Sequence, residues 1–331
     1  MDERLVDFGL RAEAATRRAS LDAAASQVAQ ELDETGVMCV LLKGPAVAGW
    51  LYTPEDARRY ADVDLLVGED RLEAATRVLE RLGFARTLEA EVVLLVDRHH
   101  QRWERQADGV EVELHWTLIG IGAPAAEAWS VLSQQTDRML IGDAEVPVLS
   151  VEARTLHLAL HAAQHMGIGK AVEDLARGIA QLEFGAWESA RDLAFRLDAM
   201  SAFAAGLGTC PEGLALAARL GLPAPSVYWG LRVTGSYAGA GRLWYMRRAS
   251  GWRDRWRLVV WFLPQTRRGH APGGRMATMG DITRAATAAF TVLRVAIRRR
   301  RSRQPAARAT RSGRSAARGR RARLRRVRLR A

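Results

Sequence analysis

RRYADVDLLV, residues 58–67, sets two carboxylates, Asp62 and Asp64, at the mouth of an apolar run. A buried charge there is costly unless something compensates it. The run is short and closes on Leu65, Leu66 and Val67, so it reads as a strand. Residues i and i+2 of a strand project to the same side, which brings Asp62 and Asp64 together, about 7 Å apart along the backbone, with Val63 facing the other way. Two ionised carboxylates side by side repel each other. A divalent cation between them is the usual means of keeping both charged at neutral pH.

Upstream, VMCVLL (37–42) is a second short apolar run that reads as a strand and leads into Lys43-Gly44. Pro45 opens PAVAGWLY (45–52) and suits the first turn of a helix, which puts Gly44 at a strand-to-helix junction. Unhindered N–H groups and the positive end of a helix dipole at such a junction suit a triphosphate. Residues 8–33 carry Ala, Leu and charges at helical spacing, and EDRLEAATRVLERLG (69–83) is an amphipathic helix stopped by Gly83. Further strand-like runs stand at EVVLLV (91–96) and VEVELHW (110–116). The second of these carries Glu113 between Val112 and Leu114, with Glu111 as a rival of the same strand parity. Three acids on neighbouring strand ends suggest a cage for two Mg²⁺ ions about 3.5–4 Å apart, the arrangement of phosphoryl or nucleotidyl transfer. From Val151 onward helical periodicity prevails.

The order strand, Gly, helix, DVD, VEL resembles the nucleotidyltransferase fold of the DNA polymerase β superfamily. Within it, LLKGPAVAGWLYTPEDARRYADVDLLV (41–67) resembles an uncharacterised bacterial nucleotidyltransferase-like family whose motif places Lys43, Gly44, Tyr52, Arg58, Asp62, Asp64, Leu66 and Val67. VELHW supplies Glu113 and His115, HLALHAAQHMGIGKAVEDLARGI (157–179) matches a helical His-rich segment with a later Asp174, and RWRLVVWFLP (255–264) matches a C-terminal pattern, so the likeness spans roughly residues 20–275. It implies an α/β (α+β) nucleotidyltransferase-like domain with a mixed sheet, followed by an all-helical domain and a disordered basic tail. The expected division is an N-terminal helical segment over 1–35, the catalytic domain over 36–150, the helical domain over 151–297 and the tail over 298–331. The implied reaction moves a nucleoside monophosphate from an NTP donor to an acceptor hydroxyl of a small molecule, peptide or protein, with Mg²⁺ (or Mn²⁺). Asp62, Asp64 and Glu113 are the expected catalytic and metal-binding residues, Glu113 also helping to deprotonate the acceptor. Lys43, Gly44 and Arg58 are expected to hold phosphates, with Arg59 able to take the part of Arg58. The chain departs from many superfamily members at Gly44-Pro45, where they carry Gly-Ser or Gly-Gly; a hydroxyl and a backbone donor are missing. Lys43 is one of only two lysines against 47 arginines, and it supplies positive charge at that place.

Composition bounds the rest. At 331 residues with 48% apolar side chains, the chain can build a large core. Two distant cysteines, Cys39 and Cys210, argue against a disulfide framework or a zinc ribbon and for a reducing, cytoplasmic setting. The N-terminus carries acids and does not look like a signal peptide, and no run reaches the roughly 20 apolar residues that span a bilayer. The net charge of +12 is local: residues 282–331 hold 18 Arg and no acid, which leaves the other 281 residues at −6. Residues 298–331 are too charged and too poor in apolar side chains to fold, and are expected to be a disordered tail that either is merely solvated or binds nucleic acid or another anionic surface. The apolar stretch 287–297 before it reads as a last packed helix, with an anionic membrane surface as the alternative resting place.

His157, His161 and His165 share one helical face by their spacing and are expected to line a pocket, a structural zinc ion wanting a fourth ligand that no nearby cysteine supplies. Trp229, Trp244, Trp252, Trp256 and Trp261 read as core or docking surface. Two other functions fit the same residues: a non-catalytic accessory protein of this fold in a biosynthetic cluster, or a nucleic-acid-associated protein acting through the basic tail.

Overall fold

The computed structural model of the chain describes residues 3–53, 56–87, 99–165 and 169–233. The expectations for 91–96, 255–264, 287–297, the tail and Trp244, Trp252, Trp256 and Trp261 lie outside the described residues. The strands are β1 (Cys39–Leu41), β2 (Asp62–Val67), β3 (Phe84–Arg86), β4 (His100–Arg105), β5 (Val110–His115), β6 (Thr136–Ile141) and β7 (Ala144–Leu149). They form one mixed sheet of seven strands in the order β3-β4-β5-β2-β1-β7-β6. β2 runs parallel to β5 and β1 parallel to β7, while the other neighbours are antiparallel. The helices are α1 (Glu3–Glu34), α2 (Pro45–Leu51), α3 (Leu72–Arg81), α4 (Ala125–Leu132), α5 (Val151–Gln164), α6 (Lys170–Gln181), α7 (Phe184–Arg196), α8 (Met200–Leu207), α9 (Pro211–Arg219) and α10 (Val227–Val233).

Strand alternation decides which side chains share a face. Val63, Leu65 and Val67 of β2, with Val112 and Leu114 of β5 and Leu41 of β1, pack into one core with Leu21, Val28 and Leu32 of α1 and Val78 and Leu79 of α3. Val40, Leu42 and Leu66 face the opposite way into a second core with Leu156, Ala159 and Leu160 of α5, Trp187 of α7 and Phe203 of α8. Each fully buried Leu, Val or Phe contributes about 1.5–3 kcal/mol. The sheet is therefore covered on both faces, and its short strands read as apolar runs for that reason. Asp62, Asp64 and Glu113 stand on the α5 face, set there by their strand parity, while their apolar neighbours Val63, Leu65, Val112 and Leu114 hold the α1 face.

The strand expected over 37–42 is shorter, and β2 has the expected bounds. The helix expected over 69–83 divides into a 3₁₀ turn at Glu69–Arg71 and α3, and the chain reverses at Gly83, whose φ of 81° favours glycine. The β6–β7 hairpin, turning at Gly142 (φ 58°), and strands β3 and β4 were not anticipated. Among the described residues no helix is long and apolar enough to cross a membrane. Cys39 and Cys210 are both buried free thiols.

Candidate active site

Parallel pairing of β2 with β5 sets Asp64 across from Glu113 and Asp62 across from Glu111. β4 then brings Arg102 opposite Glu113 and His100 opposite His115. Asp64 is 1% exposed, and such a carboxylate must be neutralised where it stands. The Lys43 ammonium lies 2.8 Å from its Oδ1 and His115 Nε2 lies 3.0 Å from the same oxygen. Burial alone would raise the Asp64 carboxyl; Lys43 and His115 overcome it and hold the group well below the usual carboxylate range. His115 in turn is pushed down by burial and up by its hydrogen bonds to Asp64 and Glu113, with a net rise. Glu113, also buried, is held low by His115 and His100 and receives Arg102 Nη2 at 2.8 Å. Asp62 has no comparable partner, and burial together with the Asp64 charge pushes it up to about 6. Ligand atoms of Asp64, Glu113 and His115 come within 4.8 Å of one another; Asp62 is not part of that group.

Gly44 stands with φ 56° and ψ −114°, a conformation that a side chain strains. A Cβ there would also meet the Asp62 carbonyl oxygen at 3.3 Å and the Tyr60 ring at 3.5 Å. The backbone at 43–45 thus passes close against the start of β2, and Lys43 is delivered to Asp64 by that approach.

Arg58 is buried. Its Nε and Nη2 donate to the two oxygens of Asp174 on α6, at 2.8 and 2.6 Å, and Tyr52 Oη donates to Asp174 at 2.7 Å. Two more contacts from α6 fasten the same loop: Lys170 Nζ donates to the Arg59 carbonyl at 2.7 Å, and Arg177 pairs with Asp56 while lying over the Tyr52 ring. Tyr52, Asp56, Arg58 and the Arg59 carbonyl, which precede β2, are thus held to α6 by ion pairs and hydrogen bonds, and Tyr52 also packs on the core to which Leu175 of α6 belongs. Arg59 itself is exposed, its side chain outside this clamp.

His157 and His161 line small cavities with Lys43 on the α5 side, each cavity of about 10 Å³, room for one water. His157 is pushed down to about 3 by burial and by Lys43, and His161 falls well below its ordinary value for the same reasons. Both stay neutral at physiological pH. The three helical histidines do not form one of the groups whose ligand atoms converge among the described residues. Trp229 packs against the second core.

Sequence reasoning grouped Asp62, Asp64 and Glu113 with Lys43 and Gly44 at the strand end beside them; the structure sets Lys43 on Asp64 and brings Asp64 and Glu113 together with His115, with Asp62 outside that group of ligand atoms. It missed His99 and, on β4, His100 and Arg102. HHQRWER (99–105) does carry a signal: alternate positions Gln101, Trp103 and Arg105 share one parity, and Trp103 is fully buried.

The sequence profile of a family described as uncharacterised nucleotidyltransferases matches residues 9–214. No protein of curated function matches the chain. Among solved structures, the antibiotic-resistance factor ANT(2'')-Ia in solution is 18% identical, covering 55% of this chain and 92% of that one, with a TM-score of 0.39. An antigenic nucleotidyltransferase-like protein from Paracoccidioides brasiliensis is 17% identical over 55% of this chain and 91% of that one (TM-score 0.33). The lincosamide antibiotic adenylyltransferase LnuA, bound to lincomycin, is 12% identical over 44% and 88%, with a TM-score of 0.32.

Proposed function

Since the chain belongs to the family of uncharacterised nucleotidyltransferases, and is a transferase on that ground, we propose that it moves a nucleoside monophosphate from an NTP to an acceptor hydroxyl in a Mg²⁺-dependent reaction. The observation that supports this reading is the register of β2 and β5, which sets Glu113 across from Asp64 with Asp62 two residues along on the same face. The donor set suits Mg²⁺ or Mn²⁺: carboxylate oxygens of Asp64 and Glu113 lie in one group, and Asp62, with its raised carboxyl, is the acid whose ionised form a cation would favour. When bound, the metal supplies positive charge to the transferring phosphoryl oxygens.

The chain's own residues do the rest. Asp62, Asp64 and Glu113 hold the metal, Glu113 staying ionised because His115 and Arg102 face it. Lys43 carries the charge that meets the donor's phosphates, and Gly44 lets them approach the backbone without a side chain between. Arg58 adds charge through Nη1, the nitrogen that Asp174 does not engage, and the Asp174 clamp fixes the loop that presents it. The acceptor is a small molecule, peptide or protein bearing a hydroxyl. The assignment of 36–150 as the catalytic domain and 151–297 as the helical domain belongs to the same proposal.

A second reading, a nucleotide-binding protein without turnover, is favoured by Pro45 and by the fact that Asp64 and Arg58 already have buried counter-ions in Lys43 and Asp174. Isothermal titration of the four NTPs, with and without Mg²⁺, tests both against the Asp62→Asn/Asp64→Asn protein. The expected result is metal-dependent binding of one NTP that the double variant loses. Equal binding by the double variant overturns the site, and binding without any transfer to added acceptors selects the second reading.

A further inference from the structure

At the end of β5 a second group of ligand atoms converges, and its chemistry differs from that of the carboxylates. We propose that His99, His100 and His115 bind one divalent ion of the Zn²⁺ class, a site that nucleotidyl transfer by Asp62, Asp64 and Glu113 does not require.

The strands build it. Antiparallel pairing puts His100 opposite His115, and the Trp116 N–H donates to the His99 carbonyl at 3.0 Å, fixing the residue before β4. One ring nitrogen from each histidine falls within 4.8 Å of the others. The ring centroids are 4.3 Å apart for His99 and His100, 5.2 Å for His100 and His115, and 5.7 Å for His99 and His115. Two nitrogens bound to a tetrahedral Zn²⁺ at about 2.0–2.1 Å stand about 3.3 Å apart. The His99 Nε2 to His100 Nδ1 contact of 2.8 Å is near that spacing.

His115 supplies an independent indication. Its Nε2 is shared between Asp64 at 3.0 Å and Glu113 at 3.4 Å, while its buried Nδ1 has no hydrogen-bond partner. A buried nitrogen left unsatisfied costs free energy. An imidazole with a carboxylate on one nitrogen and a metal on the other is the common arrangement at metal centres, because the carboxylate fixes the tautomer and raises the ring's basicity. Beside it, a cavity of about 10 Å³ lined by His99, His115 and His157 has room for one water as a further ligand. Imidazole donors select Zn²⁺, Ni²⁺ or Cu²⁺ over Mg²⁺, which prefers oxygen. The surrounding field does not forbid a cation: Lys43 and Arg102 are offset by Asp64 and Glu113, each pair at 2.8 Å.

The test uses the full chain stripped of metal with a chelator. Zn²⁺ is titrated by calorimetry, with Co²⁺ and its visible absorption as a second probe, in excess Mg²⁺. One Zn²⁺ is expected to bind without competition from Mg²⁺, and Asp62→Asn is expected to leave that binding unchanged. His100→Gln, at a partly exposed position, should weaken it by at least about tenfold, since loss of even an outer-shell partner costs that much. The variant carrying both His99→Gln and His100→Gln should lose it, with circular dichroism reporting that the fold is retained. Absence of Zn²⁺ binding in the unaltered chain, displacement by Mg²⁺, or undiminished binding by His100→Gln each overturns the proposal; the single variant decides if the double one does not fold.

Discussion

Replacing Asp174 by Asn keeps its volume and removes its charge. Asp174 is 1% exposed and accepts from Arg58 Nε, Arg58 Nη2 and Tyr52 Oη at 2.8, 2.6 and 2.7 Å. An Asn has one acceptor oxygen for these donors and turns an N–H₂ group toward a guanidinium that is itself 5% exposed. The loss is therefore that of a buried cation left without its partner, about 3–5 kcal/mol, and not the 0–1 kcal/mol of a surface pair. Urea unfolding followed by circular dichroism reads this as a fall in the midpoint at constant slope. The Arg58→Met/Asp174→Leu variant removes both charges and should recover most of the loss, since a buried pair exchanged for apolar residues of similar volume is often neutral. A cost below about 1 kcal/mol for Asp174→Asn would refute the reasoning, as would a double variant whose loss equals the sum of Arg58→Met and Asp174→Leu measured separately.

Lys43→Met strips the charge-assisted contact from Asp64 and from the donor's phosphates, and NTP affinity measured by calorimetry should fall about 10- to 100-fold, the equivalent of about 1.5–3 kcal/mol. Gly44→Ala forces a side chain into a strained φ beside the Asp62 carbonyl and should destabilise the fold by about 1–3 kcal/mol in the same urea assay, whereas an ordinary exposed loop glycine would be nearly indifferent. His157, at about 3 when folded against 6.5 when unfolded, binds a proton in the unfolded chain first, so its contribution is full above pH 6.5 and is lost as pH falls toward 3. His161 acts with the same sign, and Asp62, raised to about 6, acts with the opposite sign between its unfolded value and pH 6. His157→Gln should therefore reduce the stability lost between pH 7 and pH 5 by about 2 kcal/mol, and an unaltered pH slope refutes the assignment.

β2 was legible to the residue because both its faces are buried from Val63 to Val67, so the unbroken apolar run marks the strand, while the Asp-Val-Asp alternation at its mouth tells which side the carboxylates take. The same parity argument put Glu113 on the face of Asp64. β4 was not legible because its other positions are charged or polar, with Trp103 as its only fully buried side chain; its pairing is imposed by β5, not by its own pattern. The β6–β7 hairpin carried a readable turn, Gly142-Asp143, between alternating runs, and Pro147 within β7 obscured it. Arg58 was read as a phosphate ligand from its place in the motif of the resembled family. Its buried partner, Asp174, lies 116 residues away, and a contact of that range leaves no periodic trace in one sequence.

That clamp changes how the charges on the sheet face should be weighed. Lys43 and Asp64 form one buried pair and Arg58 and Asp174 another, so each cation stands against a carboxylate it already satisfies. Asp62 is the acid left over: burial and the Asp64 charge raise it to about 6, and the Lys43 charge that opposes them does not outweigh them. Lys43 is fastened more loosely than Arg58: its side chain is 14% exposed against 5%, and a single contact to Asp64 holds it where Arg58 has two to Asp174. A divalent ion at Asp62 and Asp64 would compete with Lys43 for Asp64 and release it toward phosphate, whereas Asp174 would keep both Arg58 and Tyr52. The two cations therefore part in role. On the proposed function, Lys43 would be the one to follow the nucleotide, and Arg58 would act on it chiefly through its hold on Asp174. Arg58→Lys should then cost stability chiefly, while Lys43→Met should cost NTP affinity as well as lower the urea midpoint, because it leaves the buried Asp64 carboxylate to His115 alone.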